Sequence, residues 1–233
     1  MHLFLRDITG IFQVSEKTIY KWIDKKGFPC VNVNEQFRFN FTDVLEWALE
    51  CKIKLTPEIL NFIEQKDGDH DILSGALKKG GIHYGIQGRN REDVLKTIVD
   101  LLPLPPDADR RSLFELFLAR ELMESTAIGN GIALPHIRNP IILNIQEPLV
   151  TLCFLKSAVD FHALDGKAVS ILFTILSPSV KMHLSILSRL AFCLQNSNLQ
   201  KYLHERASME EIMAEFIILE SRLGLSGKKK KTK

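Results

Sequence analysis

An α/β fold preceded by a small helical module with a hairpin is what this sequence predicts, and three observations predict it. The first 54 residues read as short amphipathic helices around one alternating strand pair. Beyond residue 71, apolar strand-like runs alternate with helical patterns, the arrangement that packs helices against one sheet to make an α/β sandwich. The chain has 233 residues, of which 45% are hydrophobic and 25% charged, and that length suits two modest domains, each with a core. Such a composition excludes a disordered chain, and no repeat of solenoid or collagen period is present.

Arg6 to Phe12 forms a short helix, and Val14-Ser15 supplies a turn and an N-cap for a second helix from Glu16 to Lys25. On this second helix Ile19, Trp22 and Ile23 share one face, while Lys17, Thr18, Tyr20 and Lys21 lie mainly on the other. One face packs and the other is free to recognise. After Gly27-Phe28-Pro29, the stretch Cys30 to Val33 pairs with Phe37-Arg38-Phe39 across the turn Asn34-Glu35-Gln36. Thr42 is expected to cap a helix through Glu50, and Thr56 with Pro57 at the first helical position starts another bearing Ile59, Leu60 and Ile63. Gln65 to Asp71 holds one glycine, three aspartates and no large apolar residue, and reads as a linker.

In the larger part Ile82 to Ile86 reads as a strand, and Asn90 caps a helix from Arg91 to Leu102 with Leu95, Ile98, Val99 and Leu102 inward. A proline-broken loop, Pro103 to Asp109, leads to a helix ending near Met123. Strands follow at Ile132 to Leu134, Leu149 to Leu155 and Val169 to Leu176, then helices at Lys181 to Gln195 and Leu199 to Ala207. A capping box of Ser208 and Glu211 opens the last helix. The boundaries that result are 1–54, a helix and linker at 55–70, the α/β domain at 71–222, and a tail at 223–233.

The net charge of +2 is unevenly spread: +1 over residues 1–54, −4 over 55–227 and +5 over the last six, where Lys228-Lys229-Lys230-Lys231-Thr232-Lys233 forms a disordered basic tail suited to any polyanion or to solubility alone. No run approaches the roughly 20 apolar residues that a membrane span needs, and Arg6-Asp7 interrupts Leu3-Phe4-Leu5 before any signal-type apolar region develops. The expected location is the cytoplasm, with no membrane contact. Cys30, Cys51, Cys153 and Cys193 form no Cys-x-x-Cys pair, so they read as reduced, mostly buried thiols rather than disulfides or zinc ligands.

The segment with chemistry in it is Ser125-Thr126-Ala127-Ile128-Gly129-Asn130-Gly131-Ile132-Ala133-Leu134-Pro135-His136. Gly129, Asn130 and Gly131 let the backbone turn N–H groups toward an anion, as phosphate-cradling loops do. Pro135 fixes the chain just before an imidazole that is a competent nucleophile near neutral pH. A phosphate loop of the Gly-x-x-x-x-Gly-Lys type, a Gly-x-Ser-x-Gly elbow and a His-Glu-x-x-His site are all missing, which removes the residues on which nucleotidase and hydrolase readings would stand.

The run from Gly129 to His136 closely resembles the active-site motif of the fructose/mannitol/nitrogen-type EIIA domains of the bacterial phosphotransferase system, with Arg120-Glu121 upstream and Lys181-Met182-His183-Leu184 downstream. The resemblance covers about residues 71–222. It implies a mixed sheet flanked by helices, and it implies that His136 accepts a phosphoryl group from phosphorylated HPr or its nitrogen-branch equivalent. By the same resemblance His183 is the second histidine of the site, Arg120 balances phosphate charge, and no metal or other cofactor is needed. Two departures stand out: Ala127 replaces a common glycine, narrowing loop freedom, and Ile137-Arg138-Asn139-Pro140 alters the rim offered to a partner.

The N-terminal residues resemble excisionase/MerR-like helix-turn-helix domains through Val14-Ser15-Glu16-Lys17-Thr18-Ile19-Tyr20-Lys21-Trp22-Ile23, Gly27-Phe28-Pro29 and Phe37-Arg38-Phe39. That resemblance implies a small winged domain in which Lys17, Thr18, Tyr20 and Lys21 face DNA and Arg38 meets a phosphate. Residues 17–38 carry five basic and two acidic side chains, a modest surplus for a nucleic-acid surface, and Glu35 puts an acid at the tip of the wing. The leading expectation is a phosphocarrier whose charge switch controls a DNA-binding output. Two others stay open: a transport component that passes the phosphoryl group to a separate EIIB protein, and an interaction module that keeps both domains as protein-binding surfaces with no DNA contact; an EIIB or a regulatory protein is thus a possible partner. Helix-turn-helix proteins often pair to read two half-sites, so a homodimer is one expectation for the quaternary state.

Overall fold

The computed structural model describes residues 2–55, 59, 72–137 and 145–226. The N-terminal module runs β1 (His2–Leu3), α1 (Leu5–Phe12), α2 (Glu16–Lys26), β2 (Val31–Val33), β3 (Gln36–Asn40) and α3 (Phe41–Glu50). Its strands form an antiparallel sheet in the order β1-β3-β2. Ser15 caps α2 by accepting the Thr18 N–H, and Gly27 ends that helix in the left-handed region at φ 60°. Phe28 sits at the centre of an aromatic core, with its ring 4.6 Å from Trp47 and 5.5 Å from Phe39.

Three local expectations change here. The hairpin loop is shorter than expected, because Val33 pairs with Gln36 and leaves only Asn34-Glu35, both at positive φ (50° and 62°), as the tight turn that suits twisted strands requires. The cap of α3 is Asn40 rather than Thr42: β3 runs directly into the helix, so the last strand residue takes the cap and its side chain accepts the Thr42 N–H at 2.9 Å. β1 was not anticipated, since two residues are too short to show an alternating pattern.

The larger part contains α4 (Ile72–Gly80), β4 (Ile82–Ile86), α5 (Arg91–Leu101), α6 (Arg110–Met123), β5 (Ala127–Gly129), β6 (Ile132–Ala133), β7 (Leu149–Val159), β8 (Val169–Leu176), α7 (Val180–Cys193), α8 (Ser197–Glu205) and α9 (Met209–Ser226). The sheet order is β4-β7-β8-β6-β5, mixed: β4 with β7 and β6 with β8 are parallel, and the other pairs are antiparallel. Both faces are covered. Val150, Leu152 and Phe154 of β7 face the layer of α7 and α9, whereas Cys153 and Leu155 face α5. That two-sided burial is why β7 and β8 read as nearly continuous apolar runs. α4 and β5 were not expected from the sequence, and β7 extends to Val159.

The apolar cluster on the α7 side does not stop at the sheet domain. It continues without a break through Leu45, Ala48 and Leu49 of α3 to Leu55 and Ile59. Gln195 ties the same junction by accepting the Leu55 N–H at 3.0 Å and donating to the Ile53 carbonyl at 3.1 Å. The expected Thr56-Pro57 helix start, the Gln65 to Asp71 linker and the lysine tail lie outside the described residues. Among the described residues no helix is long and apolar enough to cross a membrane. All four cysteines are free; Cys153 and Cys193 are buried, while Cys30 and Cys51 are half-buried.

Candidate active site

His136 follows β6 and extends it, forming a bridge to Ile175 of β8, with the Ile175 N–H donating to the Pro135 carbonyl at 3.1 Å. This places the imidazole at the end of the sheet, 1% exposed. Its Nδ1 is 2.8 Å from the Leu134 carbonyl oxygen. A carbonyl can only accept, so Nδ1 carries the hydrogen and Nε2 is left as the nitrogen facing the site.

His183 occupies the first turn of α7, whose N-cap Ser179 accepts the Met182 N–H. Its ring centre is 5.1 Å from that of His136. Burial, and next the neighbouring His136, push His183 down to about 3, which makes it a neutral imidazole. Neither of its ring nitrogens has a hydrogen-bond partner among the described residues. Arg120, in the last turn of α6, is also buried; its Nη1 donates to the Glu124 carbonyl at 2.7 Å. Next to it, burial raises the Glu121 carboxyl even though Thr126 donates to it from both its N–H and its hydroxyl.

One participant gave no signal in the sequence. Glu46 of α3 places Oε1 2.9 Å from His136 Nε2 and receives Arg120 Nη2 at 2.9 and 3.0 Å on its two oxygens. The contact with Nε2 is close but off the line of a well-aligned hydrogen bond. Burial works to raise the Glu46 carboxyl, but His136 and Arg120 together pull it down to about 2, so it is ionised. A lone glutamate on an amphipathic helix reads as a solvated residue, and only the packing of α3 against β5 and α7 brings it here.

The structure does not bring the glycine loop to this centre. Gly129 ends β5 opposite Ile132 and Asn130-Gly131 make the turn to β6, with φ 85°, 53° and 72° along the three. Ile132, next to Gly131, pairs with Ile171 on β8, while His136 lies beside Ile175, so five residues of extended chain, roughly 16 Å, separate Gly131 from His136. The expected phosphate cradle is therefore a hairpin turn, and its Asn130 N–H donates to Asp165 at 2.8 Å. A Cβ added at Gly129 would come within 3.1 Å of that carboxylate, which accounts for glycine there. Ala127 is an ordinary strand residue outside the left-handed region, and Ile137 is buried in the core rather than on a rim. Arg138 to Pro140 lie outside the described residues.

On the N-terminal module Lys17, Tyr20 and Lys21 are exposed along α2, and Thr18 is half-buried with its hydroxyl 3.1 Å from that of Ser15. Arg38 differs from expectation. It lies over the Phe4 ring at 3.9 Å and donates to Gln36, half-buried against its own module instead of projecting outward.

A family model for the phosphoenolpyruvate-dependent sugar phosphotransferase system, EIIA 2, matches residues 76–219. The chain belongs to this family. A helix-turn-helix domain model matches residues 7–52 of this EIIA protein. The nitrogen regulatory protein of Pseudomonas aeruginosa is 33% identical over 143 residues, covering 60% of this chain and 91% of that one. The fructose-specific EIIABC component of Bacillus subtilis is 32% identical over 144 residues, which are only 22% of its length. Among solved structures, the nitrogen regulatory protein IIA-Ntr of Neisseria meningitidis is similar with a TM-score of 0.54 at 27% identity, covering 61% of this chain and 97% of that one.

Proposed function

We propose that His136 is the phosphoryl acceptor of a regulatory phosphocarrier and that the helix-turn-helix module carries its output. The observation behind this reading is the hydrogen bond from His136 Nδ1 to the Leu134 carbonyl, which turns Nε2 into the site as the nitrogen that attacks once Glu46 has moved off it. In the transfer, a bond forms from Nε2 to phosphorus as the bond from phosphorus to the donor breaks, its electron pair leaving with the donor. The donor is phosphorylated HPr or its nitrogen-branch equivalent. Arg120 balances charge on the transferred oxygens, and His183, neutral with unpartnered ring nitrogens, donates one hydrogen bond to them.

The exposed Lys17, Tyr20 and Lys21 support DNA as the partner of α2. The inward Arg38 and the acidic Glu35 favour a second reading, in which the module binds protein. Transfer of the phosphoryl group onward to a separate EIIB protein is compatible with the same acceptor. The test is intact-mass spectrometry at neutral to mildly alkaline pH after incubation with phosphoenolpyruvate, enzyme I and either HPr. One phosphoryl mass on the native chain and none on His136→Ala is expected; no gain with either donor, on the native chain or on a Glu46→Gln chain that frees Nε2, overturns the assignment.

A further inference from the structure

His136 is sealed by the chain's own helix-turn-helix module. The Glu46 carboxylate touches the nitrogen on which phosphorus would land, and it takes the guanidinium that a phosphoryl group would need. Three oxygens around a tetrahedral phosphorus and two around a planar carboxylate ask for the same donors. A covalent P–N bond is far shorter than the 2.9 Å between Nε2 and Oε1, so phosphoryl oxygens would fall in the volume the carboxylate fills. At about −1.5 to −2 charges, a phosphoryl group would also repel the ionised Glu46.

Resting on the assignment of His136 as acceptor, we propose that Glu46 is an internal stand-in for the phosphoryl group, so that docking of α3 and phosphorylation of His136 exclude one another. Docking holds the helix-turn-helix module in one orientation on the EIIA domain and denies donors the site; phosphorylation displaces Glu46 from Arg120 and releases the module. The apolar contacts of Leu45, Ala48 and Leu49 with the α7 layer set how much repulsion release requires. The Lys17, Tyr20 and Lys21 face of α2 stays exposed in the docked form. What the switch changes is the placement of that face, not its accessibility.

Two native lysines report docking. Lys52 Nζ of the N-terminal module and Lys167 Nζ of the EIIA domain reach the same Asn130 Oδ1, at 3.5 and 3.4 Å. A short amine-reactive crosslinker should join them in the unphosphorylated chain, and peptide mass spectrometry should find that link reduced at least several-fold once the chain is phosphorylated. In parallel, Glu46→Gln keeps the shape and removes the charge, and it should take up phosphoryl groups on the order of tenfold faster than the native chain. A phosphorylated native chain that keeps its Lys52–Lys167 link, or a Glu46→Gln chain phosphorylated no faster than native, overturns the stand-in while leaving His136 as acceptor. Failure of both chains to gain phosphate removes the acceptor assignment, and the stand-in with it.

Discussion

Glu46 and His136, ninety residues apart in sequence, meet at 2.9 Å, and the contact joins a helix of the N-terminal module to the one imidazole that the EIIA motif singles out. Arg120 fastens the same carboxylate, and both partners are largely removed from water: side-chain exposure is 5% for Arg120 and 14% for Glu46. Such a pair is costly to break from one side, because the remaining charge stays buried without its partner.

Arg120→Ala should therefore destabilise the chain by about 3 kcal/mol in urea denaturation. Arg120→Lys should recover part of that, since an ammonium restores charge but not the second hydrogen-bonding arm that reaches Glu124. Equal stability of native and Ala variants would mean that the ion pair contributes nothing at this junction.

Docking should weaken as pH rises from about 5 to about 8. Burial, with Glu124 and Glu46 as neighbouring charges, raises Glu50 to about 7, only partly offset by Arg120. An acid whose value is raised in the docked form binds its proton more tightly there. Its contribution is fully present below the ordinary carboxylate value and is lost as pH passes through about 7. The Lys52–Lys167 crosslink yield, corrected for amine reactivity with an exposed lysine pair, should fall across this window, and Glu50→Gln should flatten the profile. Glu46 acts in the opposite sense, but only as pH approaches about 2.

Glu35→Gly should stabilise the N-terminal module by about 1 kcal/mol, because Glu35 holds φ 62° in a two-residue turn where a side chain is strained. Thermal unfolding followed by tryptophan fluorescence would report it, as Trp22 and Trp47 both lie in that core. No rise in Tm would mean that the turn relaxes the strain elsewhere.

If α2 reads DNA, Lys21→Ala should lower affinity for random duplex and reduce the slope of log affinity against log salt by about 0.9, one phosphate contact. Fluorescence anisotropy over a salt series measures both. An unchanged slope would favour the protein-binding reading.

Glu220 supplies a check on the fold itself. Fully buried, it accepts the Leu73 and Ser74 N–H groups at the start of α4, the Ser74 hydroxyl and Arg189. Glu220→Ala removes the acceptor of Arg189 Nη1 and of the two N–H groups at the start of α4, and should cost about 3 kcal/mol or more in thermal denaturation.

Much of this was legible in one dimension. Ser15, Asn90 and the Ser208–Glu211 box cap the helices they were expected to cap, because a cap is a contact across three residues and needs no tertiary structure. β8 lies at its expected bounds, since a strand buried on both faces writes itself as an apolar run. β5 and α4 escaped notice, the first because Gly129 and its short length hide any alternation, the second because it follows directly on a polar segment. Arg120, His136 and His183 were named from the motif, and the fold brings His136 and His183 within ring contact, with Arg120 reaching His136 through a shared carboxylate.

By itself the sequence determined the two kinds of domain, the family and the imidazole at the end of β6, because each rests on local order: periodicity, caps and a contiguous motif. Tertiary structure alone decided which groups surround that imidazole. The Gly129 to Gly131 turn is five to seven residues from His136 in the chain yet lies at the other end of β6, because extended backbone carries it away by about 3.3 Å per residue. Glu46 is ninety residues distant yet in contact, because the apolar face of α3 finds its cover on α7 and β5 and takes the carboxylate with it.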